Sequence, residues 1–291
     1  MLLRCMVGYM RIFLFMILCF SFVMPAHAMK IVPSILDLRS LGPDSQREIQ
    51  VTNTSNKHVP VEITLEELDI TIDGSQMRTP VTEDDILIFP PQSIIPAGRT
   101  QTFRLKWIGD PFLQSSRTYS IVLSQIPVTI PDDYDPFVSI SELKRAHDKK
   151  REEELAAKGA ATALSLDVVF NFVTAVTVAP AEYGVESKNK EFSSISPPDV
   201  SVLSSSYKVT DDGGKFIEVV LRNSGDVHTY LSNVGSINFF ADNGWKRSFS
   251  GENIAFSIGA GLLLPKHDRR FMFPVPELES SPGDVSVTFG F

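Results

Sequence analysis

Apolar and polar residues alternate with a period of two along most of the first half of the chain, in short runs separated by turn residues. The clearest runs lie at residues 48–52, 60–64, 100–107 and 118–123. Alternation of this kind is typical of strands that are buried on one face. Several such strands at regular spacing predict an all-β sandwich.

The last third of the chain repeats this style. Alternating runs lie at residues 216–221 and 285–291, and turn residues lie at 223–226. The sequence therefore predicts a second β-sandwich.

Residues 141–158 break the alternation, because nearly all of them are charged or helix-forming. Ser141 is the predicted N-cap, and Glu142 lies near the positive end of the helix dipole. With so little apolar surface to bury, we interpret this segment as a solvated helix or a disordered loop, within an insertion at about residues 131–163. A helix that binds a partner is the alternative.

The first 28 residues have the features of a secretory signal. Arg4 and Arg11 precede an apolar run at residues 12–24, which ends at an A-x-A motif at residues 26–28. Such a run is too short to span a bilayer comfortably, so we expect a cleaved signal and an exported mature protein that starts at Met29. The predicted domains are residues 29–180 and residues 181–291.

The composition limits the classes of function. The chain has 291 residues and a formal net charge of −8; without residues 1–28 it has 25 basic and 35 acidic residues, a net charge of −10. This balance argues against nucleic acid as the main ligand. Cys5 and Cys19 would both leave with the signal, so we expect neither disulfides nor a thiol nucleophile. No later run reaches about 18 apolar residues, so the mature protein is not expected to be membrane-embedded.

One apolar row is longer than a sandwich strand needs. It lies within residues 164–180, and five of its side chains share one face: Leu164, Leu166, Val168, Phe170 and Phe172. At about 3.3 Å per residue this stretch exceeds the usual strand of five or six residues, so part of the row is expected to be exposed. An exposed strand of this kind can pair with another chain. An ordinary core strand is the alternative.

Several short motifs occur in a defined order along the chain. They are VTN at 51–53, IFPP at 88–91, QTFRL at 101–105, YSIVLSQIP at 119–127, VVLRNSGDVH at 219–228 and LLP at 263–265. In their order and spacing the chain resembles the periplasmic pilus (fimbrial) assembly chaperones of the chaperone-usher pathway. This resemblance covers essentially the whole mature sequence.

The resemblance implies two immunoglobulin-like domains set at an angle, a periplasmic location and no cofactor. It also implies donor-strand complementation, in which the long strand of the chaperone fills the groove of an incomplete pilus subunit before delivery to an outer-membrane usher. Alignment on Pro180 puts Leu166, Val168 and Phe170 in that groove, and Leu164 and Phe172 extend the same row.

The chain departs from the family at the carboxylate anchor. Typical members hold the C-terminal carboxylate of the subunit with an arginine on the first strand and a lysine on the long strand. Here the arginine position falls on Asp37 and the lysine position on Ala175, and residues 159–181 contain no basic residue. Arg39, on the same strand face as Asp37, is the candidate anchor.

Two other readings remain. For an enzyme, residues 255–259 (AFSIG) form an incomplete nucleophile elbow, but we predict no catalytic residue and no metal site. The mature histidines lack metal-ligand spacing, so we expect surface or turn positions for them: His58, His147, His228 and His267. An exported structural protein, either an adhesin or a pilus subunit, is the other alternative. The internal position of the long strand disfavours it.

Overall fold

The computed structural model describes residues 29–82, 85–128, 130, 138–158, 170–181 and 195–290. In these residues the chain forms mostly β-strands, arranged as two immunoglobulin-like β-sandwiches, together with two α-helices. The all-β fold class predicted from the alternation is confirmed.

The N-terminal sandwich consists of two sheets. The first sheet has the strand order β1 (Met29–Val32), β3 (Gln46–Asn53), β8 (Thr100–Trp107) and β6 (Ile86–Phe89). The second sheet has the order β2 (Ile35–Arg39), β10 (Asn171–Ala179), β9 (Arg117–Gln125), β4 (Val59–Ile70) and β5 (Gln76–Pro80), and β7 (Gln92–Ile95) pairs with the first part of β4. Strands β2 and β10 are parallel, and the other pairs are antiparallel.

The period-two pattern explains how these strands build a core. In β8, Phe103, Leu105 and Trp107 are at most 4% exposed, while the intervening Arg104 and Lys106 face solvent. Burial of each large apolar side chain contributes about 1.5–3 kcal/mol. The predicted runs at 48–52, 60–64 and 118–123 lie in β3, β4 and β9, and the run at 100–107 is β8 itself.

The C-terminal sandwich is built in the same way. One sheet has the order β11 (Val200–Val209), β12 (Lys215–Asn223) and β17 (Asp268–Pro274), and another has the order β15 (Lys246–Ser250), β14 (Ser236–Ala241) and β18 (Val285–Gly290). A short pair joins β13 (Thr229–Tyr230) to β16 (Leu262–Leu263). Helix α2 (Gly251–Ile258) buries Ile254 in this core.

Helix α1 (Ile140–Lys158) occupies the predicted insertion. Its first turn is attached to the N-terminal sandwich, because Ile140 and Leu143 pack against the buried side chains of Ile126, Val128 and Ile130. The prediction of Ser141 as the N-cap is wrong. The Ser139 hydroxyl accepts from Glu142 N–H at 3.2 Å, and Glu142 Oε2 accepts from Ser139 N–H at 3.0 Å, which is a capping box.

In each sandwich one strand ends at a buried asparagine, and the two asparagines make equivalent hydrogen bonds. Asn53 is fully buried, and its Nδ2 donates to the carbonyl of Lys57 at 2.7 Å. Asn223, also fully buried, donates from Nδ2 to Val227 at 2.8 Å in the same way, four residues along the chain. Each side chain thus connects the end of its strand to the loop that follows. The two sandwiches thus share this asparagine–loop hydrogen bond as well as a fold.

Candidate functional site

Strand β10 has neighbours on both sides along only part of its length. Strand β9 pairs with β10 from Asn171 to Val178, whereas β2 pairs with it only from Ala175 to Ala179. In the described part of the chain, no strand lies beside residues 171–174 on the β2 side. Among the described residues, this stretch is therefore an open sheet edge.

The register shows which backbone groups face the opening. Gln125 N–H donates to the Phe170 carbonyl at 3.1 Å, so residue 170 faces β9. Residues 172 and 174 face β9 as well, because the direction of the backbone groups alternates along an antiparallel strand. The N–H and C=O groups of Asn171 and Val173 consequently point toward the open side. They can pair with an added strand.

The side chains on one face of β10 become more exposed toward its first residue. Val176 is fully buried in the N-terminal core, Thr174 is 4% exposed, Phe172 is half-buried against the core, and Phe170 is 47% exposed. Two members of the apolar row predicted from the sequence are described: Phe172 packs against the core of the domain, and Phe170, just before β10, is exposed. The remaining predicted members of the row lie outside the described residues: Leu164, Leu166 and Val168.

A cavity of about 210 Å³ opens beside Phe170 and Phe172. Val59 and Val128 line its apolar part, and Lys57 lies among its polar lining residues. A dry cavity of about 150 Å³ suffices for a benzene ring. The cavity next to the open edge therefore has room for an aromatic side chain.

The opposite face of β2 and β10 meets the C-terminal sandwich through Asp37. Asp37 pairs in register with Thr177, whose hydroxyl donates to Asp37 Oδ1. The same oxygen accepts from the Tyr230 hydroxyl at 2.8 Å and lies 3.3 Å from His228 Nε2. The position where the resemblance implies a carboxylate-binding arginine thus holds a carboxylate with three partners.

These contacts set the protonation of the cluster. Burial raises the pKa of Asp37, but the hydrogen bonds from His228, Thr177 and Tyr230 together lower that pKa by more, so it lies below its ordinary value. Burial is also the main cause that raises the pKa of Tyr230. Asp37 is therefore ionised and Tyr230 is a neutral hydrogen-bond donor at neutral pH.

Ala175, at the predicted lysine position, belongs to an apolar contact between the sandwiches. Together with Ile35, it packs against a buried cluster formed by Leu68, Ile70, Tyr230, Leu262 and Leu264. A lysine ammonium at this position would be expensive to bury without a partner. Both positions of the usual basic pair are thus used for contact between the sandwiches.

Arg39 lies on the same face as Asp37, at the other end of β2 from the open edge. It pairs with Ala179, whereas Ile35 pairs with Ala175. Arg39 is therefore about 13 Å beyond Ile35 along the strand. Its guanidinium donates to the Pro180 carbonyl at 3.4 Å.

Two histidines contribute to this interface, although the sequence predicts only surface or turn positions for them. The side chain of His228 is only 7% exposed and connects Asp37 to Ser116, which lies 3.0 Å from His228 Nδ1. His267 Nε2 lies 3.3 Å from Asp69 Oδ1. No local sequence signal marks these contacts, because the partners are far apart in the chain.

The structure does not give the incomplete nucleophile-elbow motif the geometry of a catalytic site. Ser257 lies within helix α2 and not at a strand-to-helix turn, so the geometry of a nucleophile elbow is missing. In the described ranges, no group of three or more histidine, cysteine, aspartate or glutamate side chains is placed to hold a metal ion. Within the same ranges, no helix has the length and apolar character that a membrane span requires.

No family model matches this sequence, and no curated protein matches it. Among solved structures, the chain is similar to a class 5 fimbriae chaperone, CfaA, at 12% identity and a TM-score of 0.46, over 91% of this chain and 99% of that chain. It is similar to the E. coli chaperone DraB at 10% identity and a TM-score of 0.41, over 91% and 96% of the two chains. A chain of the Salmonella enterica SafA pilin–SafB chaperone complex is similar at 12% identity and a TM-score of 0.41, over 87% and 86%.

Proposed function

We propose that this chain is a non-enzymatic chaperone of pilus assembly, which holds an incomplete pilus subunit on the open edge of β10. The observation that carries the proposal is the one-sided pairing of residues 171–174, at the point where the apolar row of β10 leaves its own core. An exposed edge is a liability that proteins normally cover. A chain that leaves such an edge open next to the exposed side chain of Phe170 is well suited to strand addition.

Donor-strand complementation would use both the backbone groups and the apolar side chains of this strand. The outward backbone groups of Asn171 and Val173 would pair with a strand of the subunit, and Phe170 would enter its groove. We propose that Leu164, Leu166 and Val168 continue the row. Each apolar side chain removed from water contributes about 1.5–3 kcal/mol.

The proposed partners are pilus subunits and an outer-membrane usher. A subunit that lacks one strand of its sandwich exposes an apolar groove, and the alternating row of β10 complements such a groove. We propose that residues 1–28 direct export to the periplasm, and that residues 29–180 and 181–291 are the two domains.

The anchor for the carboxylate of the subunit is proposed to be Arg39 in place of the usual basic pair. Asp37 and Ala175 cannot bind an anion at the usual positions, since the first is a carboxylate and the second is an apolar part of the interface. A subunit terminus would have to pass along β2 beyond Asp37 to reach Arg39.

Co-expression in the periplasm with subunits that lack one strand tests the proposal. Wild type should give one-to-one complexes by size exclusion, while Phe170→Asp and Val168→Asp should give none, because each puts an unpaired carboxylate into an apolar groove. The matched control is Phe240→Asp on β14 of the other sandwich, since Phe240 has the same 47% exposure as Phe170.

Unchanged capture by Phe170→Asp and Val168→Asp would contradict strand addition through this row. Unfolding of both variants in isolation, with Phe240→Asp still folded, would show that the row is an ordinary core strand. Incorporation of this chain into a polymer of subunits would favour the alternative of a pilus subunit.

A further inference from the structure

Two histidines of the C-terminal sandwich each face an aspartate of the N-terminal sandwich. His228 Nε2 lies 3.3 Å from Asp37 Oδ1, and His267 Nε2 lies 3.3 Å from Asp69 Oδ1. The two distances are equal, and both aspartate side chains are 57% exposed. The two contacts differ in the group that faces the other ring nitrogen.

In His267, both ring nitrogens face atoms that can only accept a hydrogen bond. Nδ1 lies 2.7 Å from the Pro265 carbonyl oxygen, and Nε2 faces the carboxylate of Asp69. A neutral imidazole carries one N–H and one lone pair, so it can satisfy only one of these two acceptors. The imidazolium has two N–H donors and satisfies both.

In His228, the second ring nitrogen faces a group that can also donate. Nδ1 lies 3.0 Å from the Ser116 hydroxyl, while Nε2 faces Asp37. A neutral ring protonated on Nε2 can donate to Asp37 and accept from Ser116. This contact between the sandwiches therefore does not require a second proton.

The charged residues that follow and precede His267 in the chain have other hydrogen-bond or ion-pair partners, although Asp268 also interacts electrostatically with His267. The guanidinium of Arg269 donates to the Leu262 carbonyl. Asp268, next in the chain, forms a bidentate pair with Arg222 of β12, at 2.7 and 2.8 Å. Lys266, on the other side, lies 3.0 Å from Asp226. Asp69 of β4 is thus the carboxylate that faces the His267 ring from the other sandwich.

We propose that the His267–Asp69 contact is a proton-dependent tie between the two sandwiches, made when His267 is an imidazolium and lost when it is neutral. Histidine changes charge between pH 5 and 8, so acidification within this range would tighten the interface. The tie lies beside the hairpin between β4 and β5, where Arg270 N–H donates to the Ile72 carbonyl at 2.6 Å. This inference does not depend on subunit binding.

Amide hydrogen exchange of the full chain tests the proposal, with Arg270 N–H as the reporter for this rim. After correction for the intrinsic exchange rate, protection of Arg270 should be about 1.5- to 5-fold greater at pH 5.5 than at pH 7.5, the range for an exposed ion pair. Asp69→Asn should remove this difference. Asp37→Asn, the matched change at the His228 contact, should leave it.

A second reporter separates the tie from a general effect of pH. Ser116 N–H donates across the interface to the Asp226 carbonyl at 2.9 Å, beside His228, and its protection should be the same at both pH values. Equal protection of Arg270 at both pH values, or a difference that persists in Asp69→Asn, would overturn the proposal. So would a ring nitrogen spectrum showing His267 doubly protonated at pH 7.5, because the tie would then not open.

Discussion

Replacing Asp37 with alanine should destabilise the protein more than replacing Asp69, although the two side chains are equally exposed. The difference lies in their partners. Asp37 accepts from Tyr230 and faces His228, whose side chain is 7% exposed, whereas His267, the partner of Asp69, is 44% exposed. Water can replace a lost acceptor at an exposed histidine but reaches a buried one poorly.

The magnitude follows from the number of buried donors. Leaving a buried donor without an acceptor costs about 1–3 kcal/mol. Asp37→Ala removes the acceptor of three donors, on Thr177, Tyr230 and His228. The Thr177 hydroxyl can turn to the Leu36 carbonyl at 3.4 Å, which leaves two donors, on Tyr230 and His228. Because Asp37 itself lies at the surface, we take the lower end for each and expect a loss of about 2 kcal/mol. Asp69→Ala breaks an exposed pair and should cost less than about 1 kcal/mol.

Urea unfolding of the wild type and both variants, checked by calorimetry for separate unfolding of the sandwiches, measures this difference. Equal losses for Asp37→Ala and Asp69→Ala would refute the reasoning from burial. The pH dependence gives a second check. Because the pKa of Asp37 lies below 3.8, its contribution is complete above that value and is lost as the pH falls through the lower folded pKa. The advantage of the wild type over Asp37→Asn should therefore shrink only below about pH 4.

Three further tests concern other parts of the structure. Val176→Ala, in the core part of β10, should cost about 2–3 kcal/mol of unfolding free energy, and Val173→Ala, on the exposed face, less than about 0.5 kcal/mol; similar losses in urea unfolding would contradict the assigned faces. Ser139→Ala should remove about 1 kcal/mol of helix stability and lower the helical circular dichroism signal. Ser141→Ala should lower it less, and the reverse order would contradict the capping box. Arg39→Ala should weaken a subunit complex by about 2–5 kcal/mol in calorimetric titration if the carboxylate contact is desolvated; equal affinities would show that Arg39 is not the anchor.

The strands were predictable because their signal is local. In β8, the alternation of Phe103, Leu105 and Trp107 with charged residues encodes both the strand and its buried face. The helix cap was misplaced by two residues, although the sequence distinguishes the two serines. Glu142 follows Ser139 at the spacing of a capping box, whereas Lys144 stands at that spacing from Ser141. The hydrogen bonds with Glu142 show that Ser139 is the cap.

The interface between the sandwiches was not predictable in the same way. The hydrogen bond from Tyr230 to Asp37 joins residues 193 positions apart, and neither residue carries a local pattern that names the other. The sequence showed that Asp37 replaces an expected arginine. The structure adds the reason, which is that donors from both sandwiches surround this carboxylate.

One face of β10 packs into the core at its end and presents exposed side chains at its start, so insertions and deletions between these two parts should have a large effect. Val176 and Val178 hold the strand in the core, so they fix the frame in which earlier residues are presented. Removing a single residue between Phe170 and Val176 would turn every earlier side chain to the opposite face, while the core positions stayed in place. In this short segment, the protein should therefore tolerate a substitution better than the deletion of one residue. A deletion of two residues should be better tolerated than a deletion of one, because it restores the original face.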